Sequence, residues 1–313
     1  MDKEMMTTVD LFANEVAKML EKELGDDYET SVQKVTKNNG LVLTGITVRE
    51  KNCNIAPTIY VDRMFIDYEN GRTLESICSN LLYTYHAHKK ERNFNLDVIK
   101  DYESVKDKVC FKLINAKKNE KMLAYTPHIT FEDLAVVFYV PVMDMKDAMG
   151  SIMVKNNMIE IWQIDTQTLY KQAMKNTARI FESNISTMAE VLKESLRNSG
   201  CCEMFDDEMD LEDEGVVPMY VCTNVNKVNG AGVFLYDGLL RDFADRLDKD
   251  LYILPSSVHE TLFVPASTEV DVKALTKIVR EVNETMVEPE DILSDNVYYY
   301  SRKDDTVTMI KSA

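Results

Sequence analysis

Hydrophobic residues recur at three- and four-residue spacing over Val9, Phe12, Ala13, Val16, Met19, Leu20 and Leu24, behind Thr7 and Thr8. That spacing puts them on one face of a helix, with a threonine oxygen to cap its first free amides and Gly25 to end it. Two alternating stretches follow, ETSVQKV and LVLTGITVRE, separated by KNNG. Alternation sends apolar side chains to one sheet face, and Asn39-Gly40 suits the positive φ angles of a tight hairpin turn. Ile55 to Val61 predicts a third strand, which Pro57 confines to an edge or first-residue position. Gly71 and Thr73 then open a helix with Leu74, Ile77, Leu81, Leu82 and Tyr85 on one side. The order α-β-β-β-α predicts a small antiparallel sheet with helices against one face.

The middle of the chain alternates less cleanly. Residues 95–124 read as mostly helical, with a short strand at Cys110 to Ile114. Thr130 to Val142 and Ser151 to Trp162 predict sheet, with a buried helix the alternative for the first, because a continuous apolar run has no period to separate the two. Thr166 or Thr168 caps a helix through Leu169, Tyr170, Ala173, Met174, Thr177, Ile180 and Phe181, and a shorter helix runs from Ser186 to Leu196. Residues 198–215, NSGCCEMFDDEMDLEDEG, hold eight carboxylates between Glu203 and Glu214 and no basic residue. Like charges at that density resist compaction, which predicts a mobile loop or linker. Beyond it, Val217 to Val225 and Ala231 to Tyr236 predict two strands around an Asn229-Gly230 turn. Asp237 caps a helix over Leu239 to Leu247, and Leu251 to Leu254 and Thr261 to Val264 predict short strands. A helix from Val270 to Met286 precedes two closing strands around Asp304-Asp305.

The predicted class is α+β, with two lobes that are each a mostly antiparallel sheet with packed helices. The expected divisions are an N-terminal lobe at 1–92, a mixed middle region at 93–197, the acidic linker at 198–216 and a C-terminal α+β lobe at 217–313. A length of 313 residues agrees, being more than one hydrophobic core usually serves.

Charge narrows the partners. Against 36 Lys and Arg stand 53 Asp and Glu, a net charge of -17. Such a surface repels phosphate backbones and anionic lipid, so direct nucleic-acid or membrane binding is not expected. The reverse idea is an acidic mimic that occupies a nucleic-acid-binding protein. The longest apolar run, Leu134 to Met143, falls far short of the ~20 residues that cross a bilayer. MDKEMMTTVD lacks the apolar core of a secretory signal, so the expected location is the cytoplasm. Cysteines 53, 78, 110, 201, 202 and 222 form no framework and no CxxC, and are read as reduced thiols.

The strings VQKVTKNNGLVLTGITVRE, APTIYVD, VKDKVCFKLIN, VPMYVCTN, YILPSSVHETLFVPA and EDILSDNVYYYSR together resemble a bacterial family catalogued as domain of unknown function 5688 and met chiefly in anaerobic gut bacteria. The resemblance spans nearly the whole chain. It implies no activity, cofactor or catalytic residue.

The sharpest chemical lead is LPSSVHETLFVPA at 254–266, which gathers Ser256, Ser257, His259 and Glu260. If this stretch is extended, Ser257 and His259 share a face and Glu260 points away from the imidazole. Same-face neighbours on a strand lie roughly 6–7 Å apart, too far for a nucleophile and its base, and the G-x-S-x-G elbow is absent. HETLF begins like H-E-x-x-H but has Phe263 where the second histidine must stand. The plainer reading is a turn at Pro255–Ser257 leading into a buried strand.

Other candidates are weaker. His86 and His88 at i and i+2 point to different sides of a helix, and His128 stands alone. The acidic tract lacks the glycine and closing glutamate of a calcium loop. NGAGVF is a lone GxG before a predicted strand, without the helix a dinucleotide site requires. No cofactor and no metal site are expected. In the run Tyr298 to Tyr300, alternation puts Tyr298 and Tyr300 on one face, a possible contact surface. The expectation is therefore a cytosolic, non-enzymatic protein that binds another macromolecule, most plausibly a protein. The alternatives are a hydrolase using His259 with Ser256 or Ser257, and the acidic mimic.

Overall fold

Helix α1, Val9–Leu24, starts with the Thr8 hydroxyl accepting from Leu11 N at 3.3 Å and stops at Gly25, whose φ is 85°. The computed structural model describes residues 7–54, 56–88, 97–143, 150–198, 218–267 and 270–310. Strands β1, Tyr28–Thr36, and β2, Val42–Glu50, pair antiparallel along their whole length. Asn39 and Gly40 between them both take positive φ, 60° and 70°, as a tight right-twisted hairpin requires. Strand β3 is shorter than expected, Thr58–Tyr60, and forms the other edge of this three-stranded sheet. A helix not anticipated follows at once, α2 at Asp62–Glu69, then α3 at Leu74–His88. The start of α2 is held through its carboxylate: Thr44 N donates to Asp62 Oδ2 at 2.8 Å. Phe12, Val16 and Leu20 of α1, Ile46 and Val48 of β2, and Ile77, Leu81 and Tyr85 of α3 make one buried core.

These elements form one compact unit, Met1–Asp97, and the rest a second, Val98–Ala313. The stretches 93–197 and 217–313, expected as separate regions, therefore largely share a unit. The reason is sheet pairing across the acidic tract, which itself lies outside the described residues. In the second unit, the helical turns α4, Asp97–Lys100, and α5, Tyr102–Val105, lead to β4, Cys110–Asn115. The turn α6, Glu120–Leu123, and strands β5, His128–Phe131, β6, Leu134–Met143, and β7, Gly150–Met153, follow. Strand β6 is central, pairing antiparallel with β4, β5 and β7.

Next comes α7 at Asn156–Trp162, where sheet had been expected. Tertiary contact decides it: Trp162 Nε1 donates to Ile99 O at 2.8 Å, and Gln163 ends the helix at φ 54°. Helix α8, Thr166–Ile180, is capped by Asp165 rather than by a threonine. Asn176 fixes it to the entry of β4 by donating to Lys106 O and Val109 O, at 2.7 and 2.8 Å. Ser183–Thr187 is β8, a strand that takes in Ser186 and Thr187, where a helix had been expected to start, and α9 begins only at Met188, running to Asn198. Its partner is β9, Tyr220–Asn224.

A larger difference follows. Ala231 to Tyr236, expected as a strand after an Asn229-Gly230 turn, falls almost wholly within a buried 3-10 helix, Gly230–Leu235. A Cβ on Gly232 would lie 2.7 Å from the Phe111 ring, and the helix packs Phe234 against Phe131. Helix α10, Leu239–Leu247, is preceded by Gly238 at φ 74°, rather than by Asp237 as the cap. Then come β10, Leu251–Leu254, β11, Thr261–Pro265, α11, Val272–Thr285, β12, Tyr298–Ser301, and β13, Thr306–Met309. They complete a six-stranded antiparallel sheet in the order β13-β12-β10-β11-β9-β8. The class is α+β. Among the described residues no helix is long and apolar enough to cross a membrane.

Asp133, at the β5–β6 turn, accepts from Ser294 Oγ at 2.8 Å, from Asn296 Nδ2 at 2.9 Å and from the Tyr298 hydroxyl. It thus ties the four-stranded sheet to the segment entering β12. Burial, with the Asp133 charge beside it, holds the Tyr298 phenol well above its ordinary pKa. Asp133→Ala strands these donors and is expected to lower stability by about 3 kcal/mol in urea unfolding. A loss under ~0.5 kcal/mol would show that water replaces the carboxylate without cost.

Candidate functional site

The segment between β10 and β11 is held on both sides by backbone. Ser294 N donates to Pro255 O, Leu293 N to Ser256 O and Val258 N to Asp291 O, at 2.9, 2.8 and 2.8 Å. Ser257 Oγ accepts from His259 N at 3.1 Å, so its hydroxyl closes a turn and is not directed at the ring. Glu260 is exposed.

The His259 imidazole is partly exposed and has two partners. Asn229 N donates to Nδ1 at 3.3 Å, and Nε2 lies 3.3 Å from Asp291 Oδ1. Nδ1 is thereby an acceptor, which puts the proton of the neutral ring on Nε2, facing Asp291. Neither nitrogen is left to take a proton from a serine. The sequence reading missed Asp291, because a partner contributed by a separate segment leaves no local signal. His259 O also accepts from Thr223 Oγ1 at 2.8 Å. Around it the packing is tight: a Cβ on Gly230 would lie 2.5 Å from His259 O and 2.8 Å from Asn224 N.

The remaining candidates divide similarly. Tyr298 and Tyr300, expected as contact surface, are 0% and 2% exposed. The alternation was right, but their shared face is the core, and only Tyr299 between them reaches the surface, against Tyr252 at 5.6 Å. His128 Nδ1 bonds to Thr126 O at 2.8 Å. Burial pushes the Cys110 and Cys222 thiols up to about 12, so neither is a nucleophile near neutrality. Among the described residues no cluster of three or more His, Cys, Asp or Glu is arranged to hold a metal ion.

A second place has more room. A cleft of about 920 Å³ runs between α8, β8 and α10. Tyr170, Met174 and Ala178 of α8, Ile185 of β8 and Leu239 of α10 give it apolar walls. Lys171 and Lys175, one turn apart on α8, line the same wall and make no ion pair among the described residues. Glu182, Asp237, Asp242 and Arg246 complete its charged rim. Tyr236, which ends the 3-10 helix, sets one end of the cleft by donating its hydroxyl to Phe181 O at 2.8 Å. The helical spacing of Tyr170 and Met174 was visible in sequence. The strand opposite them was not.

Gly230→Ala is expected to cost about 3 kcal/mol in chemical denaturation, because two of the three nearest atoms are backbone and the third, Thr223 Oγ1, is held by its bond to His259 O. A loss under ~0.5 kcal/mol would mean that the loop is free to open around His259.

A family model described as Family of unknown function (DUF5688) matches residues 9–302. No curated protein matches the chain, and no solved structure does.

Proposed function

Since the chain belongs to the family of unknown function DUF5688, which supplies no activity to start from, we propose from its geometry that it is a non-enzymatic protein-binding protein acting through the cleft between α8, β8 and α10. The observation that supports this reading is a coincidence in one place. Apolar side chains, two lysines with no close ion pair among the described residues and the outermost strand of a sheet meet in an open groove. Ser257 and His259, the groups with the clearest chemical potential among the described residues, are engaged in structural bonds. The reading places the protein in the cytosol, in keeping with free thiols at Cys53, Cys78, Cys110 and Cys222. The acidic-mimic idea requires carboxylates spaced like phosphates on a folded face, and the densest acidic run, 203–214, lies outside the described residues.

A second reading, hydrolysis centred on His259 with Ser256 or Ser257, draws support from the Asp291 contact. It requires Nδ1 to be released from Asn229 and a serine hydroxyl to turn toward the ring. A fluorophosphonate probe separates the two. No labelling is expected beyond that of the Ser256→Ala, Ser257→Ala double variant, whereas labelling abolished by His259→Gln would establish the hydrolase.

For protein binding, benzoylphenylalanine placed at Met174 and irradiated in native lysate is expected to give a discrete cross-linked product. The same group at Tyr83, 76% exposed in the other unit, should give none. Identical patterns from both positions, or none from either, would contradict the assignment.

A further inference from the structure

Hydrogen-bond parity along β8 defines what the cleft presents. Val225 N donates to Glu182 O and Met188 N to Met219 O, at 3.0 and 2.9 Å, so even-numbered residues face β9. In an antiparallel pair the intervening residues aim their backbone groups the other way, and β8 has no strand on that side. Both ends of this free edge are capped. At one, Tyr236 donates to Phe181 O at 2.8 Å, and at the other, Glu190 Oε2 accepts from Thr187 N at 2.7 Å. Between the caps Ser183 and Ile185 turn two amides and two carbonyls outward, unpaired among the described residues, and both residues line the cleft.

We propose that the cleft receives an extended peptide segment of a partner protein, which adds a strand to β8 and carries a carboxylate to Lys171 and Lys175. The proposal rests on the protein-binding reading above and specifies its ligand. A helix or a compact domain surface in the same groove would leave the four outward backbone groups unpaired, while a strand meets them all. Strand geometry sends alternate side chains to one wall. There Met174 and Ala178 offer apolar contact, and Lys171 and Lys175 stand on the same wall with no close ion pair among the described residues, Asp165 acting on Lys171 only from farther off. One acidic side chain among alternating apolar ones is the matching chemistry.

Short random peptides displayed on phage, selected on the full-length protein and then synthesised with a fluorophore, supply the probe. Recovered sequences should alternate apolar residues and carry Asp or Glu. Ile185→Pro deletes an outward amide while leaving the bonds to β9 intact, and should weaken a recovered peptide about tenfold. Ile185→Leu, which keeps the amide, should not. Lys171→Glu with Lys175→Glu, an exposed change that spares the core, should weaken it by a similar factor. Peptides that lack the pattern, or whose binding survives both the proline and the charge reversal, overturn strand addition. Recovery of no peptide overturns it too, and the Met174 cross-link then decides on protein binding by itself. A dimer in sedimentation that Ile185→Pro dissociates would overturn the proposal in favour of a second copy of this chain.

Discussion

The close approach of backbones at Gly230 and Gly232 is the constraint on which the second unit depends. Gly230 leaves no space for a side chain between Thr223, Asn224 and His259 O, and Gly232 lies against the Phe111 ring. Only with both glycines can residues 230–235 wind into a buried 3-10 helix between the two sheets. Its two ends then govern both candidate sites. At the start, Asn229 N reaches His259 Nδ1, which occupies the one ring nitrogen a nucleophile would need. At the finish, Tyr236 reaches Phe181 O, which closes one end of the free edge of β8.

The same constraint separates structural polarity from functional polarity. Asp133, Asn176, Thr177 and Tyr298 look like chemistry in a list of residue types, but each meets buried or half-buried partners that would otherwise be unsatisfied. Groups in that position stabilise a unique packing and are costly to disturb. The polar groups in the cleft differ. Lys171 and Lys175 are exposed and make no close ion pair among the described residues, and the edge of β8 offers backbone bonds that nothing in the described chain takes up.

Elements with a strong local period were legible from sequence. The spacing of Val9 to Leu24, the Asn39-Gly40 turn and the amphipathic face of α8 all mark where the chain folds against its own neighbours. The failures share a cause in distant partners. VFLY after Gly232 is rich in residues that favour strands, but packing against the Phe111 and Phe131 rings accompanies a 3-10 winding instead. Ser186 reads as a helix start, and β9 from beyond the acidic tract makes Ser183–Thr187 a strand. Of the candidate site, His259 was legible and its partners Asn229 and Asp291 were not, since both come from other segments. The cleft escaped for the same reason: with β8 misread, Lys171 and Lys175 had no strand edge to face.

Amide hydrogen exchange on the free protein, resolved by residue, tests the central claim that β8 has one bonded and one open edge. The account predicts strong protection at Asn184 and Ser186, whose amides face β9, and little at Ser183 and Ile185 between them. Uniform protection across residues 183–186 would contradict it, because some other group would then already occupy the edge.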